Sequence, residues 1–253
     1  MSWRGWFNGA LRRADRLLIL GYENIAAGPR PGSTRSDAQS IDRSEFDWQM
    51  KQLLARVQPI SVGQLAAHVR RKRELFGPQA CVTIDCDSRA VNDSVLPILR
   101  QLELVATFGV EFDRVDDRTA NDPRADPLAL DWDAIRSLVD SGMDLAHHVR
   151  SGSAVMTLEP AQRRANLAAV RQRAKNETGM TINAWVYPGN AGATSNLSLL
   201  RDAALAGFSL GVNGSVGSNP LRPFEPMSLR RVPVTSDMTR TQFQKLLDGL
   251  GEP

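Results

Sequence analysis

Histidine, cysteine and tyrosine are scarce in this 253-residue chain, at three, two and two copies. So few soft ligands exclude a cysteine-rich zinc module and a disulfide scaffold. A site needing several imidazoles can draw only on His68, His147 and His148. Long apolar runs are missing too. The start, MSWRGWFNGALRRADR, is basic and aromatic, and the apolar run after it is only Leu17–Leu20. That is too short for a signal h-region or a bilayer span, so the expectation is a cytoplasmic protein with reduced cysteines. Trp3, Trp6, Phe7 and Leu11 make one amphipathic turn, which either packs on the domain or makes a weak peripheral membrane contact. A large excess of one charge is absent as well: 31 Lys+Arg against 28 Asp+Glu leaves +3. The basic runs at Arg12–Arg13, Arg70–Arg73 and Arg163–Arg164 fall on expected helices, where a solvated face is the simple reading. Nucleic acid is not an expected partner, because interleaved aromatics and a larger surplus are lacking.

What is present suits a core. Hydrophobic residues make 42% and charged residues 23%, which rules out wholesale disorder. Gly/Pro-rich loops are expected at Ala26–Ser40, Asp113–Ala129 and Gly211–Pro226. Between them short apolar strands alternate with amphipathic helices. The strands are expected at Leu17–Glu23, Cys81–Asp85, Leu104–Val110, Met143–His147, Ile182–Tyr187, Phe208–Val212 and Leu229–Val234. Helices are expected over Ser44–Val57, from a Ser61/Gln64 capping box to Phe76, and over Val91–Leu102. Others run from Asp131 to Gly142, Thr157 to Thr178, Asn196 to Ala206 and Thr239 to Leu250. The alternation predicts an α/β fold, a distorted and incomplete seven-unit barrel in a single domain. A basic aromatic segment, residues 1–16, would precede a barrel domain over 17–250.

Function in such a fold sits at the C-terminal ends of the strands. One end reads Ile84-Asp85-Cys86-Asp87-Ser88. Its carboxylates can act as general base or metal ligands, or simply as a buried Asp and a helix cap. Another ends in His147-His148, of which one at most faces a given pocket, since neighbours on a strand alternate. A third ends in Tyr187-Pro188-Gly189-Asn190, a turn able to present backbone N–H groups to an anion.

In this order the segments resemble the polysaccharide deacetylase family, the NodB-homology or carbohydrate esterase 4 group. Ile19-Leu20-Gly21-Tyr22-Glu23-Asn24-Ile25 is similar to its opening I-L-x-Y-H-x-I strand. Phe46 to Leu53 resembles F-x-x-Q-M-x-x-L, and Thr83-Ile84-Asp85-Cys86-Asp87 resembles T-F-D-D-G. Val105-Ala106-Thr107-Phe108, the Trp132-to-Leu145 stretch and Tyr187-Pro188-Gly189-Asn190 follow in register. Leu229-Arg230-Arg231-Val232-Pro233-Val234 is similar to the closing L-x-R-x-x-V strand. The resemblance implies a divalent metal, usually zinc, held by one Asp and two His at H-x-x-x-H spacing. That metal polarises an acetyl carbonyl and activates water, with the first Asp of T-F-D-D-G as base.

Carried over, Asp85 is the base, and Cys86 stands at the metal Asp. His148 stands at the first metal His and Gly152 at the second. Asp87 is a further candidate ligand, and the Gly189 N–H a candidate oxyanion donor. Tyr187, Pro188, Trp185 and Arg230 are the candidate substrate-binding residues, with Trp132 a further sugar-stacking candidate. The late catalytic His has no counterpart, and the early Tyr-His is Tyr22-Glu23. The implied function is hydrolysis of the acetyl C–N bond on amino sugars of a surface polysaccharide or its precursor. The alternative is a pseudoenzyme that keeps the barrel as a glycan- or partner-binding module.

Overall fold

The computed structural model describes residues 16–23, 25–26, 40–115, 129–150, 153–187 and 197–251. The N-terminal turn with Trp3, Trp6, Phe7 and Leu11 lies outside them, as do most of the loops expected at Ala26–Ser40 and Asp113–Ala129.

β1 (Arg16–Tyr22) is buried from Leu17 onward, as its apolar run requires. A short parallel pair, β2 (Ile25–Ala26) and β3 (Ile41–Asp42), leads into α1 (Arg43–Leu54). Asp42 caps α1 by accepting from the Ser44 N–H at 2.7 Å. α1 buries Phe46, Gln49, Met50 and Leu53, one stripe at helical spacing. α2 (Val62–Arg70) opens on the expected capping box: Ser61 Oγ accepts from the Gln64 N–H at 3.1 Å and Gln64 Oε1 from the Ser61 N–H at 2.9 Å. The helix stops short of Phe76. Lys72 turns into the left-handed region at φ 50, and the Arg73 N–H closes on the His68 carbonyl at 3.0 Å.

β4 (Gln79–Cys86) follows, and then α3 (Val91–Ser94) and α4 (Leu96–Gln101) stand where one helix was expected. Pro97, in the first turn of α4, has no N–H to continue the ladder, which breaks the run at Val95. β5 (Thr107–Val110) precedes α5 (Trp132–Asp140), whose cap Asp131 accepts from the Ala134 N–H at 2.8 Å. β6 (Asp144–His148) leads to α6 (Pro160–Thr178), ended by Gly179 at φ 74, a conformation that suits glycine. β7 (Ala184–Val186), α7 (Leu197–Leu205), β8 (Leu210–Val212), β9 (Asn219–Pro220), β10 (Val232–Pro233) and α8 (Arg240–Gly251) complete the order.

The main sheet runs β10-β1-β4-β5-β6-β7-β8, parallel throughout, with β9 antiparallel on β1. A bridge between Val212 and Leu229 brings the approach to β10 against β8, so the sheet curls toward closure. This is the incomplete α/β barrel that the alternation predicts. Strand periodicity divides its side chains between two faces. Leu17, Ile19, Cys81, Ala146, Ala184 and Val186 pack inside the lumen with α2 residues Val62, Leu65 and Ala66. Leu18, Leu20, Tyr22, Val82, Ile84 and Cys86 pack under the helices, together with Trp185 and Tyr187.

α2 stoppers the end where the strands begin. Its Gly63 N–H donates to Asp144 Oδ2 at 2.9 Å, and the Val62 N–H donates to Thr107 Oγ1 at 3.3 Å. A carboxylate at a helix N-terminus also complements the helix dipole. Among the described residues no helix is long and apolar enough to cross a membrane.

Candidate active site

The opposite end of the lumen carries the polar group. Asp85 is paired with Gly109 on β5, and a side chain at 109 would meet Asp85 Oδ1 at 3.1 Å and His148 Cβ at 3.3 Å. Glycine there leaves space for Asp85 and His148 to share the lumen. Arg231, just before β10, enters from the other side. It donates from Nη1 to Asp85 Oδ1 at 2.8 Å and from Nη2 to Asp85 Oδ2 at 2.5 Å, a bidentate pair. Gly21 makes room for it, because a Cβ there would lie 2.8 Å from Arg231 Cδ. His148 Nε2 lies 3.7 Å from Asp85 Oδ2.

Burial by itself raises the Asp85 carboxyl. The Arg231 charge and its hydrogen bonds, helped by His148 and Arg150, more than offset this and hold it below the usual carboxylate value. Burial lowers His148, Asp85 opposes that, and Arg231 and Arg150 reinforce it, so the net shift is downward. The imidazole is therefore neutral at pH 7, and its contact with Asp85 is dipolar rather than an ion pair. Arg231 is pulled down by burial but raised on balance by Asp85, with Glu23 contributing. Around the rim Arg150 donates to Asp87 Oδ2 at 2.9 Å and lies 3.6 Å from Glu111 Oε2. Beside this group lies a small open cleft, lined at the rim by Glu23, Asp85, Asp87 and Ser88 and on the helix side of the sheet by Ile84, Cys86, Val91 and Val95.

The remaining candidates are placed differently. His147 faces away from His148: it is fully buried, its ring 6.1 Å from Phe112 and 6.4 Å from Phe208. Burial pushes it down to about 4 despite a hydrogen bond with the Val110 carbonyl, which makes it a neutral core residue. Trp185 and Tyr187, named as substrate-binding, are instead buried against each other with rings 4.9 Å apart, on the helix side of the sheet. They form part of the core. Trp132 stacks on Phe112 at 5.8 Å with the Arg173 guanidinium 5.5 Å above its ring. Arg230 is exposed, and its backbone N–H donates to Asn219 Oδ1 at 2.8 Å. The arginine at the site is its neighbour. The signal was in the sequence, since Arg231 is the arginine of the L-x-R-x-x-V pattern and alternation puts it opposite Arg230. Pro188, Gly189 and Gly152 lie outside the described residues.

The resemblance implies a divalent metal held by an Asp and two His. Cys86 follows Asp85 on the strand and so packs under the helices, its thiol donating to the Ser88 carbonyl at 3.5 Å. Asp87 sits out at the rim, paired with Arg150. Asp85 has both oxygens on Arg231. Among the described residues no three His, Cys, Asp or Glu side chains are grouped so as to hold a metal ion. The described donor set does not fit the implied triad.

Known proteins show the same architecture. The deacetylase PplD of Streptococcus pyogenes, solved with acetate, superposes with a TM-score of 0.75 at 18% identity, covering 94% of this chain and 99% of that one. IcaB from Ammonifex degensii gives 0.68 at 22% identity over 92% and 97%. BC0361, a polysaccharide deacetylase from Bacillus cereus, gives 0.69 at 17% identity over 92% and 69%. At such identities the likeness establishes the fold. No curated protein matches the chain. The profile of the family described as polysaccharide deacetylase matches residues 73–210, more than half of the sequence and the part that carries Asp85 and His148. The chain belongs to the polysaccharide deacetylase family.

Proposed function

We propose that this chain recognises N-acetylated amino-sugar polymers or their precursors without metal-dependent deacetylation, as the pseudoenzyme alternative holds. The observation that carries this reading is the direction of Cys86. At the position of the metal-binding Asp, its thiol is committed to the Ser88 carbonyl under the helices. His148 is then left with Asp85 as its acidic neighbour, and Asp85 is clamped by Arg231. A lowered carboxyl is a weak base, but its spare lone pairs can still accept sugar hydroxyls beside the Arg231 and His148 donors.

A second reading is slow hydrolysis of the acetamido C–N bond by a metal-loaded form. It is favoured by the presence of both Asp85 and His148 in the lumen. Calorimetric titration with N-acetylglucosamine oligomers, paired with acetate release in the presence of added zinc, separates the two. The expected result is binding that Asp85→Asn weakens about tenfold or more, consistent with loss of a charged hydrogen-bond partner, and no acetate above the blank. Zinc-dependent acetate release abolished by Asp85→Asn would overturn the proposal in favour of the hydrolase.

A further inference from the structure

The end of the barrel away from Asp85 carries a different surface. α2 ends at Arg70, the first of a run of four basic residues, Arg70, Arg71, Lys72 and Arg73, all exposed. They are not a loose tail. The bonds from Arg71 N–H to Ala67 O, Lys72 N–H to Val69 O and Arg73 N–H to His68 O hold the turn in one shape. Cations near a helix C-terminus are ordinary, yet one or two would suffice for that. Several arginines elsewhere are paired with acids, as Arg89 with Asp131, Arg136 with Asp133 and Glu177, and Arg240 with Glu45. None of these four has an ion-pair partner among the described residues.

The same end adds Phe76, whose ring is 65% exposed. The Arg222 guanidinium lies 5.0 Å over it and is bonded to Glu74 at 2.9 Å. Beneath this rim, Val69, Leu75 and Phe224 pack on the lumen cluster, so the floor that carries the charges is rigid. Burial and the neighbouring Arg70 charge together hold Arg171 below the ordinary arginine value, in line with a positive field here. β1 also starts at this end, and the fifteen residues preceding Arg16 contain Trp3, Trp6, Phe7, Arg12 and Arg13.

We propose that this end of the barrel docks on an anionic lipid surface, with Arg70 to Arg73 over the headgroups and Phe76 inserted at the interface. Unpaired cations at the same end as an exposed aromatic ring, where the basic aromatic sequence joins β1, match an interfacial lipid site better than a nucleic-acid groove, which wants a row of stacking faces. Docked this way, the Asp85 cleft faces away from the bilayer, where a polymer chain can reach it. The proposal is independent of whether that cleft is catalytic.

Cosedimentation of the full chain tests it, using phosphatidylcholine vesicles with and without about one-third phosphatidylglycerol at ~0.1 M salt. The wild type should bind the anionic vesicles and leave the neutral ones. Each cation near such a surface contributes roughly fivefold, so Arg71→Gln/Arg73→Gln should bind about 25-fold more weakly. Phe76→Ser should weaken binding at constant charge. All three side chains are exposed, so thermal midpoints should match the wild type. Three results overturn the proposal: equal binding to neutral vesicles, variants that bind anionic vesicles as the wild type does, or tighter binding to a single-stranded oligonucleotide than to the vesicles.

Discussion

Arg231→Met should destabilise the folded chain by about 3–5 kcal/mol near neutral pH, the usual cost of leaving one member of a buried pair without its partner. Asp85 and Arg231 expose 9% and 12% of their side chains, so water screens the pair little. The loss should depend on pH, and the sign can be worked out. In the wild type the Asp85 carboxyl lies below its ordinary value. Its contribution to stability is therefore full above the unfolded carboxylate value of about 3.9 and is lost as pH falls through the lower folded one. In Arg231→Met burial dominates and raises the carboxyl instead. That variant is at its best in acid and weakens as pH rises past about 4.

Urea unfolding of both proteins between acid and neutral pH should show the gap opening as pH rises. A gap of constant size would mean that Arg231 contributes packing alone. Adding Asp85→Leu to Arg231→Met should recover part of the loss, because removing both charges leaves none stranded.

Asp202→Ala should cost a similar amount, about 3–5 kcal/mol, without touching the site. Asp202, on α7, is 3% exposed and accepts from Arg163 Nη1 and Arg164 Nη1, each at 2.8 Å. Arg163 is 8% exposed and also donates to the Val155 carbonyl at 3.3 Å and the Leu158 carbonyl at 2.6 Å. The guanidinium thus ties α6 to its own approach loop and to α7. Without the carboxylate, its charge is buried against carbonyl oxygens alone. Calorimetry should show a lower unfolding midpoint, while oligosaccharide titration at a temperature where the variant is folded should match the wild type. A loss under about 1 kcal/mol would place the pair among screened surface bridges. This variant also separates general destabilisation from the site-specific pH signature of Arg231→Met.

The elements were legible in the sequence wherever a local cause sets them. Asp42, Ser61 and Asp131 cap helices because a short oxygen-bearing side chain meets orphan N–H groups. Pro160 and Gly179 bracket α6 for backbone reasons that need no partner. β1, β4, β5 and β6 came from apolar runs that must be buried on both faces. Two local signals point to longer helices than the fold has. The basic run after Arg70 read as more helix, although Lys72 adopts the left-handed turn that ends it. Val91–Leu102 read as one helix despite Pro97.

The scarcity of histidine, cysteine and tyrosine had a definite consequence. It left any multi-imidazole site only His68, His147 and His148 to draw on, and, set beside the family's pattern, it put Cys86 and Gly152 where ligands would be. Local periodicity further determined that His147 and His148 point to opposite faces. Tertiary structure alone decided which face is the lumen, because that depends on how the sheet curls and where α2 stoppers it. Once that was decided, Cys86, Trp185 and Tyr187 went under the helices while Asp85 and His148 went inside. Arg231 lies 146 residues from Asp85 along the chain. No local rule couples such a distant pair; strand order β10-β1-β4 brings the last strand next but one to β4, and Gly21 on the strand between them leaves the gap through which the guanidinium reaches.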